Sequence, residues 1–332
     1  MKGWQQGNIR SRYQMGICGI ILMMILLAGC SQTGSGSATA TENNGQPTTQ
    51  VSTTGEASGT HEYTDYKGNT MQIPVHPQRI ISIGGDVGDL LALGVEPIGA
   101  SLQVIKDQVV YKDRLQGIAD VGEPVDPEKV AALAPDLILV DGSGLYDEIY
   151  PSLTKIAPVV LLERTETYER LRTTADVIGK PDAAEQWIKD YEARAQKVIS
   201  NLNIPKGATA TAFLQIGKDM YVMGDNGLSS TLYHILQFKP NGGVQKLIDQ
   251  KESFAQIAGE SLPDYAGDWL FILHDDTDIS NTSVQSMLDS AIWKTVPAVK
   301  EGHVYTLASE WNFDDPITRD MLLDQLPTIM KK

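Results

Sequence analysis

Few residues in this chain are spaced to make or break bonds. Gly142-Ser143-Gly144 follows an apolar run, but it lacks the Gly-x-Ser-x-Gly spacing of a nucleophile turn. Of the five histidines, His234 falls within a helical pattern, His303 begins a strand, and His61 and His76 flank the first buried strand. None stands at the i, i+4 or His-x-His spacing that suits a metal. Leu273–Asp278 (LHDDTD) offers carboxylates for Ca²⁺ without the rest of an EF-hand loop, and reads as a solvated strand end. A Gly-rich phosphate loop is missing as well. These patterns disfavour an enzyme and point to a protein that binds without transforming.

The one thiol placed for chemistry is Cys30. It closes Leu27-Ala28-Gly29-Cys30, a bacterial lipobox, in which the cysteine is lipidated and the chain is cut just before it. Upstream lie Lys2, Arg10 and Arg12 and the apolar stretch from Met15 to Ala28, shorter than the ~20 residues that span a bilayer. Residues 1–29 are therefore expected to be a lipoprotein signal peptide, and Cys18, the only other cysteine, leaves with it. Residues 30–60 are Ser, Thr, Gly, Asn, Gln and Ala with almost no large apolar side chain, so they are expected to form a tether that does not fold. Such a coil reaches roughly 30 Å. Losing the three basic residues of the signal takes the formal charge from −15 to −18. A body this acidic disfavours nucleic acid and anionic lipid surfaces as partners. The expected location is the extracellular face of a bacterial cell membrane, with lipid as the only membrane contact.

Short apolar runs alternate with helical patterns through the body. RIISI, PIGAS, DLILV and PVVLL read as buried strands, separated by helices such as DVGDLLALG and PEKVAALA, the latter with Pro127 in its first turn. From Thr167 the pattern turns helical and stops at Gly179-Lys180-Pro181. A stretch of about six turns follows to Asn203, with Asp182 as the expected N-cap. Strand and helix alternation then resumes through ATAFLQI, MYVMG, a helix from Ser229 to Phe238, DWLFIL and HVYTL, and a last helix starts at Pro316. The expected organisation is an N-terminal lobe (61–181), a linker helix (182–203) and a C-terminal lobe (204–332).

The halves echo each other. Glu128 stands eight residues before Asp136 and a strand, and Glu260 stands eight residues before Asp268 and a strand. Two α/β lobes that face each other would bury a ligand beyond the carboxyl ends of their strands.

DYKGNTMQIPVHPQRIISIGGDVGDLLALGVEPIGAS, VGEPVDPEKVAALAPDLILVDG, SAIWKTVPAVKEGHVYTL and WNFDDPITRDMLLDQL resemble the helix-linked substrate-binding proteins of ABC importers, above all the iron-siderophore-binding lipoproteins of Gram-positive bacteria. The resemblance covers nearly everything from Glu62 on and implies an α/β fold of two Rossmann-like lobes joined by one long helix, the class III periplasmic-binding-protein plan. It implies a monomer that hands its ligand to a permease dimer driven by ATPase subunits. The family's two docking glutamates match Glu128 and Glu260, one anion on each lobe for paired basic residues of a symmetric permease.

The ligand is expected to be a ferric siderophore of hydroxamate type, with the iron carried inside it and no cofactor of the protein's own. After Pro205 the only arginine is Arg319, and the family's cleft arginine has no clear match, which disfavours tri-anionic catecholates. Cobalamin or haem binding by the same fold is the alternative; a metal-ion-binding lipoprotein is disfavoured by the scattered histidines. Asp86, Ser101, Gln103 and Ser143 in the first lobe, and Tyr221, Met223, Tyr305, Trp311 and Asn312 in the second, fall at or after strand ends and are the expected cleft lining.

Overall fold

The computed structural model describes Gly59–Lys331. The signal-peptide and lipidation readings, Cys30 included, fall on residues outside this range. Among the described residues no helix is long and apolar enough to cross a membrane.

A hairpin of β1 (Thr60–Thr64) and β2 (Thr70–Pro74) leads into β3 (Ile80–Ile83). Then follow α1 (Val87–Ala92), β4 (Gly99–Ala100), α2 (Leu102–Ile105), β5 (Ala119–Asp120), α3 (Pro127–Ala132), β6 (Leu137–Asp141), α4 (Tyr150–Leu153) and β7 (Val159–Leu162). The five strands from β3 on form one all-parallel sheet in the order β5-β4-β3-β6-β7. The order reverses at β3, as in doubly wound sheets, and the crevice beyond the β3 and β6 carboxyl ends is where such sheets hold ligands.

The sheet is apolar on both faces because helices cover both. Ile80, Leu137, Leu139, Val160 and Leu162 face one way, against α5 (Thr167–Val177) through Leu171 and Ala175. Ile81, Ile83, Ile138, Val140 and Val159 face the other, against Val130 of α3 and Leu153 of α4. This period of two is that of the strand backbone.

The next helix, α6 (Pro181–Leu202), has Lys180 as its N-cap, with Pro181 at its first position and Asp182 in the first turn. Asp182 is thus not the cap: proline, lacking an N–H, takes the first helical position, and Asp182 meets the helix dipole instead. Trp187 and Tyr191 of α6 stack at 5.1 Å, and Tyr168 of α5 meets both edge-on.

The remaining elements are β8 (Thr209–Ile216), β9 (Asp219–Met223), α7 (Gly227–Ser230), β10 (Lys239–Pro240), α8 (Gly242–Asp249), β11 (Phe254–Ile257), α9 (Leu262–Tyr265), β12 (Trp269–His274), α10 (Asp278–Asp289), α11 (Pro297–Glu301), β13 (Val304–Ala308) and α12 (Pro316–Ile329). The helix expected from Ser229 is the short α7, continued by a π-helical turn over Thr231–Ile235. The sheet order is β11-β9-β8-β12-β13, with β10 beside β8. Strands β8, β12, β13 and β10 are parallel; β9 runs antiparallel to β8, and β11 pairs antiparallel with β9.

The last helix serves two cores. Leu322, Leu323 and Leu326 of α12 are buried with Phe271, Leu273 and Leu307 of the second sheet. Ile317 and Met321 pack instead with Val87, Leu91 and Tyr111 of the first lobe. The two sheets are therefore joined through both α6 and α12.

Candidate functional site

The repeat seen in the sequence has a structural cause. Asp136 accepts the backbone N–H groups of Gln78 and Arg79, just before β3, at 2.8 and 2.9 Å. Asp268 accepts the N–H and hydroxyl of Thr209, the first residue of β8, at 2.8 and 2.9 Å. Each aspartate ties the amino end of its own strand to that of a neighbour. The helix before it carries the glutamate. Asp126 caps α3 by accepting the Glu128 N–H at 2.9 Å, which leaves the Glu128 side chain exposed in the first turn. Glu260 is exposed in the 3₁₀ turn Gly259–Ser261 that opens into α9. Neither carboxylate has a side-chain partner among the described residues.

The carboxyl ends of the two sheets are brought together. A cavity of about 280 Å³ is lined by Asp107 and Gln108 of the first lobe and by Leu214, Ile216, Asp275, Ser309, Glu310, Asn312 and Phe313 of the second. Lys112 reaches across to Glu310 at 3.2 Å. Of the expected lining residues, Asn312 lies on this cavity and also accepts the Leu228 N–H at 3.2 Å. Tyr221 is half-buried, opposite Leu214 in register and edge-on to exposed Phe254 at 5.7 Å. Trp311 is partly buried against the second-lobe core.

In the first lobe, Gly84 and Gly85 carry the chain from β3 to Asp86. Gly84 has φ +104°, and a Cβ there would lie 2.4 Å from that of Asp141, so only glycine lets the ends of β3 and β6 approach this closely. Asp86 is largely buried, 3.3 Å from Arg170. Burial drives its pKa up to about 7; Arg170 opposes this, while Asp89 and Asp141 add repulsion. Gln103 is exposed and donates to Asp120 at 3.1 Å. Asp120 resists its own partial burial through the Gly122 N–H and the Gln103 amide, which hold it below the usual carboxylate range. Ser143 follows β6, half-buried, its N–H donated to Asp141 at 2.6 Å.

Three expected lining residues lie elsewhere. Tyr305 is 6% exposed and packs on Phe271 and Trp269. It stands near the amino end of β13, whereas the cavity lies past the carboxyl end at Ala308. Met223 is 3% exposed in the same core, because β9 runs antiparallel to β8 and so leads away from the cleft. Ser101 is fully buried after β4, and its hydroxyl has no partner among the described residues.

The sequence reading also passed over residues that matter here. Arg164 is exposed two residues past β7, at the carboxyl edge of the first sheet, close enough to Asp86 to favour its charged form. Its place after the strand PVVLL was a visible signal. Phe313 lies on the cavity, and its ring would be 3.5 Å from a Cβ at Gly85 of the opposite lobe. Arg319, the second-lobe arginine, is 3% exposed and is occupied by Asp314 at 2.9 Å and Glu166 at 3.2 Å. Among the described residues no group of three or more His, Cys, Asp or Glu is placed to hold a metal ion.

Comparison with known proteins agrees with this architecture. The chain is 30% identical over 320 residues to the iron(3+)-hydroxamate-binding protein FhuD of Bacillus subtilis, covering 94% of this chain and 96% of that one. It is 29% identical to the iron(3+)-hydroxamate-binding protein YxeB of the same organism, over 86% of each chain. The structure of FhuD2 from Staphylococcus aureus with bound ferrioxamine B superposes with a TM-score of 0.65 at 26% identity, covering 76% of this chain and 98% of that one. Residues 83–311 match the model of the periplasmic binding protein family, and with two doubly wound lobes meeting at their strand carboxyl ends, this chain belongs to that family.

Proposed function

We propose that the chain is the lipid-anchored solute-binding component of an ABC importer, capturing one ferric siderophore of hydroxamate type between its lobes and delivering it intact to the permease. The observation that carries this reading is the cavity itself, lined by Asp107 and Gln108 of the first lobe and by residues at the strand carboxyl ends of the second. Similarity to iron(3+)-hydroxamate-binding proteins over nearly the whole chain supports the choice of ligand.

The chemistry of the surface points the same way. The cavity lining holds Asp107, Asp275 and Glu310 and no cation, and the buried Arg319 is fully engaged. Lys112 offsets Glu310, but Asp107 and Asp275 would still repel a tri-anionic complex, since charge in a partly desolvated cleft is weakly screened. A neutral or weakly charged ferric hydroxamate would instead offer its oxygens to Gln108 and Asn312, and its apolar linkers to Leu214, Ile216 and Phe313, with Arg164 the exposed cation beside Asp86 at the first-sheet edge. No bond is made or broken. Exposed Glu128 and Glu260, repeated one per lobe, are the anions offered to the permease.

Titration of the intrinsic tryptophan fluorescence tests the ligand. Ferrioxamine, ferrichrome, a ferric citrate-type complex, a ferric catecholate, cobalamin and haem would be added in turn. Saturable quenching by a hydroxamate at sub-micromolar concentration is expected. Tight binding of the catecholate alone would overturn the charge argument, and binding of cobalamin or haem alone would overturn the siderophore.

A further inference from the structure

The linker helix is not the only polar tie between the lobes. Asp314 Oδ1 accepts from the Thr167 hydroxyl of α5, in the first lobe, at 2.7 Å, and from Arg319 Nε at 2.9 Å. Its Oδ2 accepts from the Gly227 N–H, at the start of α7 in the second lobe, at 3.3 Å. Its backbone carbonyl accepts from Arg170 at 3.0 Å, while the same guanidinium holds Asp89 of α1 at 2.6 Å.

The next residue repeats the arrangement. Asp315 is fully buried. One oxygen caps α12 by accepting the Thr318 N–H at 2.7 Å, and the other accepts the Tyr111 hydroxyl of the first lobe at 2.5 Å. Gly88 of α1 makes room for it, since a Cβ there would lie 2.4 Å from the Asp315 carboxylate. Two adjacent aspartates at the amino end of a helix shared by both cores thus bond into both lobes at once. Charge-assisted bonds in a water-poor junction are directional and strong, so this contact favours one lobe setting over its neighbours.

We propose that Asp314-Asp315 is a hinge clasp that sets the angle between the lobes, with Asp314 and Thr167 acting as positioning residues for ligand capture without touching the ligand. The continuous helix α6 supplies the connection, and the clasp supplies the resting geometry. Releasing it spreads the ligand-free protein over wider lobe separations, of which only a fraction presents a complete cavity. Apparent affinity then falls by that fraction. The affinity part rests on the ligand reading above; the geometric part does not.

The test measures the distance between spin labels on exposed Lys155 and Gln250, one per lobe, by pulsed dipolar spectroscopy in the full-length chain. Thiol-free encoded handles leave Cys18 and Cys30 untouched. Asp314→Ala should broaden the distribution and move it outward. Thr167→Val, nearly isosteric and missing only one cross-lobe bond, should do the same to a smaller extent, and the double variant should match Asp314→Ala alone. Ferrioxamine affinity should fall by roughly 3- to 30-fold in step with the broadening. Wild-type distance distributions in both variants would overturn the clasp, even with affinity lost, since Asp314 would then be a ligand contact. If Asp314→Ala does not fold, the Thr167→Val distribution decides alone. Failure of the wild type to bind any hydroxamate would overturn the ligand reading and leave the distance result standing.

Discussion

Asp136 and Asp268 hold equivalent places in the two sheets: Asp136 accepts two backbone N–H groups just before β3, and Asp268 accepts the N–H and the hydroxyl of Thr209 at the start of β8. The glutamate eight residues before each stands in the opening turn of the helix that leads to that aspartate. Asp136→Ala should cost about 1–3 kcal/mol, because two strand-edge donors lose their acceptor. Urea denaturation with an unchanged slope checks it. Asp268 is more exposed, and its loss should cost less.

The docking role proposed for Glu128 and Glu260 separates transport from binding. Glu128→Ala or Glu260→Ala should abolish iron uptake while ligand affinity stays within about twofold, since a buried interfacial charge pair is worth ~2–5 kcal/mol. Melting temperature should barely move, as both side chains are exposed and unpaired among the described residues. Uptake assays beside fluorescence titration decide the point. Equal losses of both would put these residues in the cleft.

Asp86 makes stability depend on pH in an uncommon direction. Its pKa is raised from 3.8 to about 7, mainly by burial. Between roughly pH 4 and 7 the folded protein keeps a proton that the unfolded chain has lost, so this group's contribution falls as pH rises. Below pH 4 both states are protonated and the penalty is absent. Asp86→Asn should therefore melt with the wild type near pH 4 and above it at pH 8, by about 1–2 kcal/mol or a few degrees. Calorimetry across that range checks it, and a gap that narrows with rising pH would contradict the burial assignment.

Arg164 is the exposed cation at the carboxyl edge of the first sheet. Arg164→Ala should weaken ferric hydroxamate binding about tenfold, near 1.4 kcal/mol. Arg164→Lys should recover only part of that, because an ammonium lacks the planar fork of donors. Unchanged affinity in both variants would remove Arg164 from the ligand's surroundings.

Lipid attachment should depend on one thiol. Cys30→Ala should leave the chain unlipidated and uncleaved, so that it carries no lipid label and its mobility changes, as lipid transfer and cleavage both need that cysteine. A wild-type label and mobility would remove the lipoprotein reading.

The sequence by itself determined the local elements and their doubling. Runs such as Ile80–Ile83 and Leu137–Val140 could only be strands buried on both faces, and the Glu128/Asp136 and Glu260/Asp268 spacings marked corresponding corners. These are short-range signals, carried by strand periodicity and helix-start chemistry. Only the tertiary structure decided which strand ends meet. Tyr305 lies near the amino end of β13 and Asn312 past its carboxyl end, so strand direction puts one in the core and the other on the cavity. Met223 was lost to the cleft when β9 turned antiparallel, a choice that its own residues do not encode. The division of α12 between two cores, and the meeting of Thr167 with Asp314 across the junction, depend on contacts between distant segments. A carboxylate reads the same in sequence whether it is solvated or clasped; its partners, and with them its role, exist only once the lobes have packed.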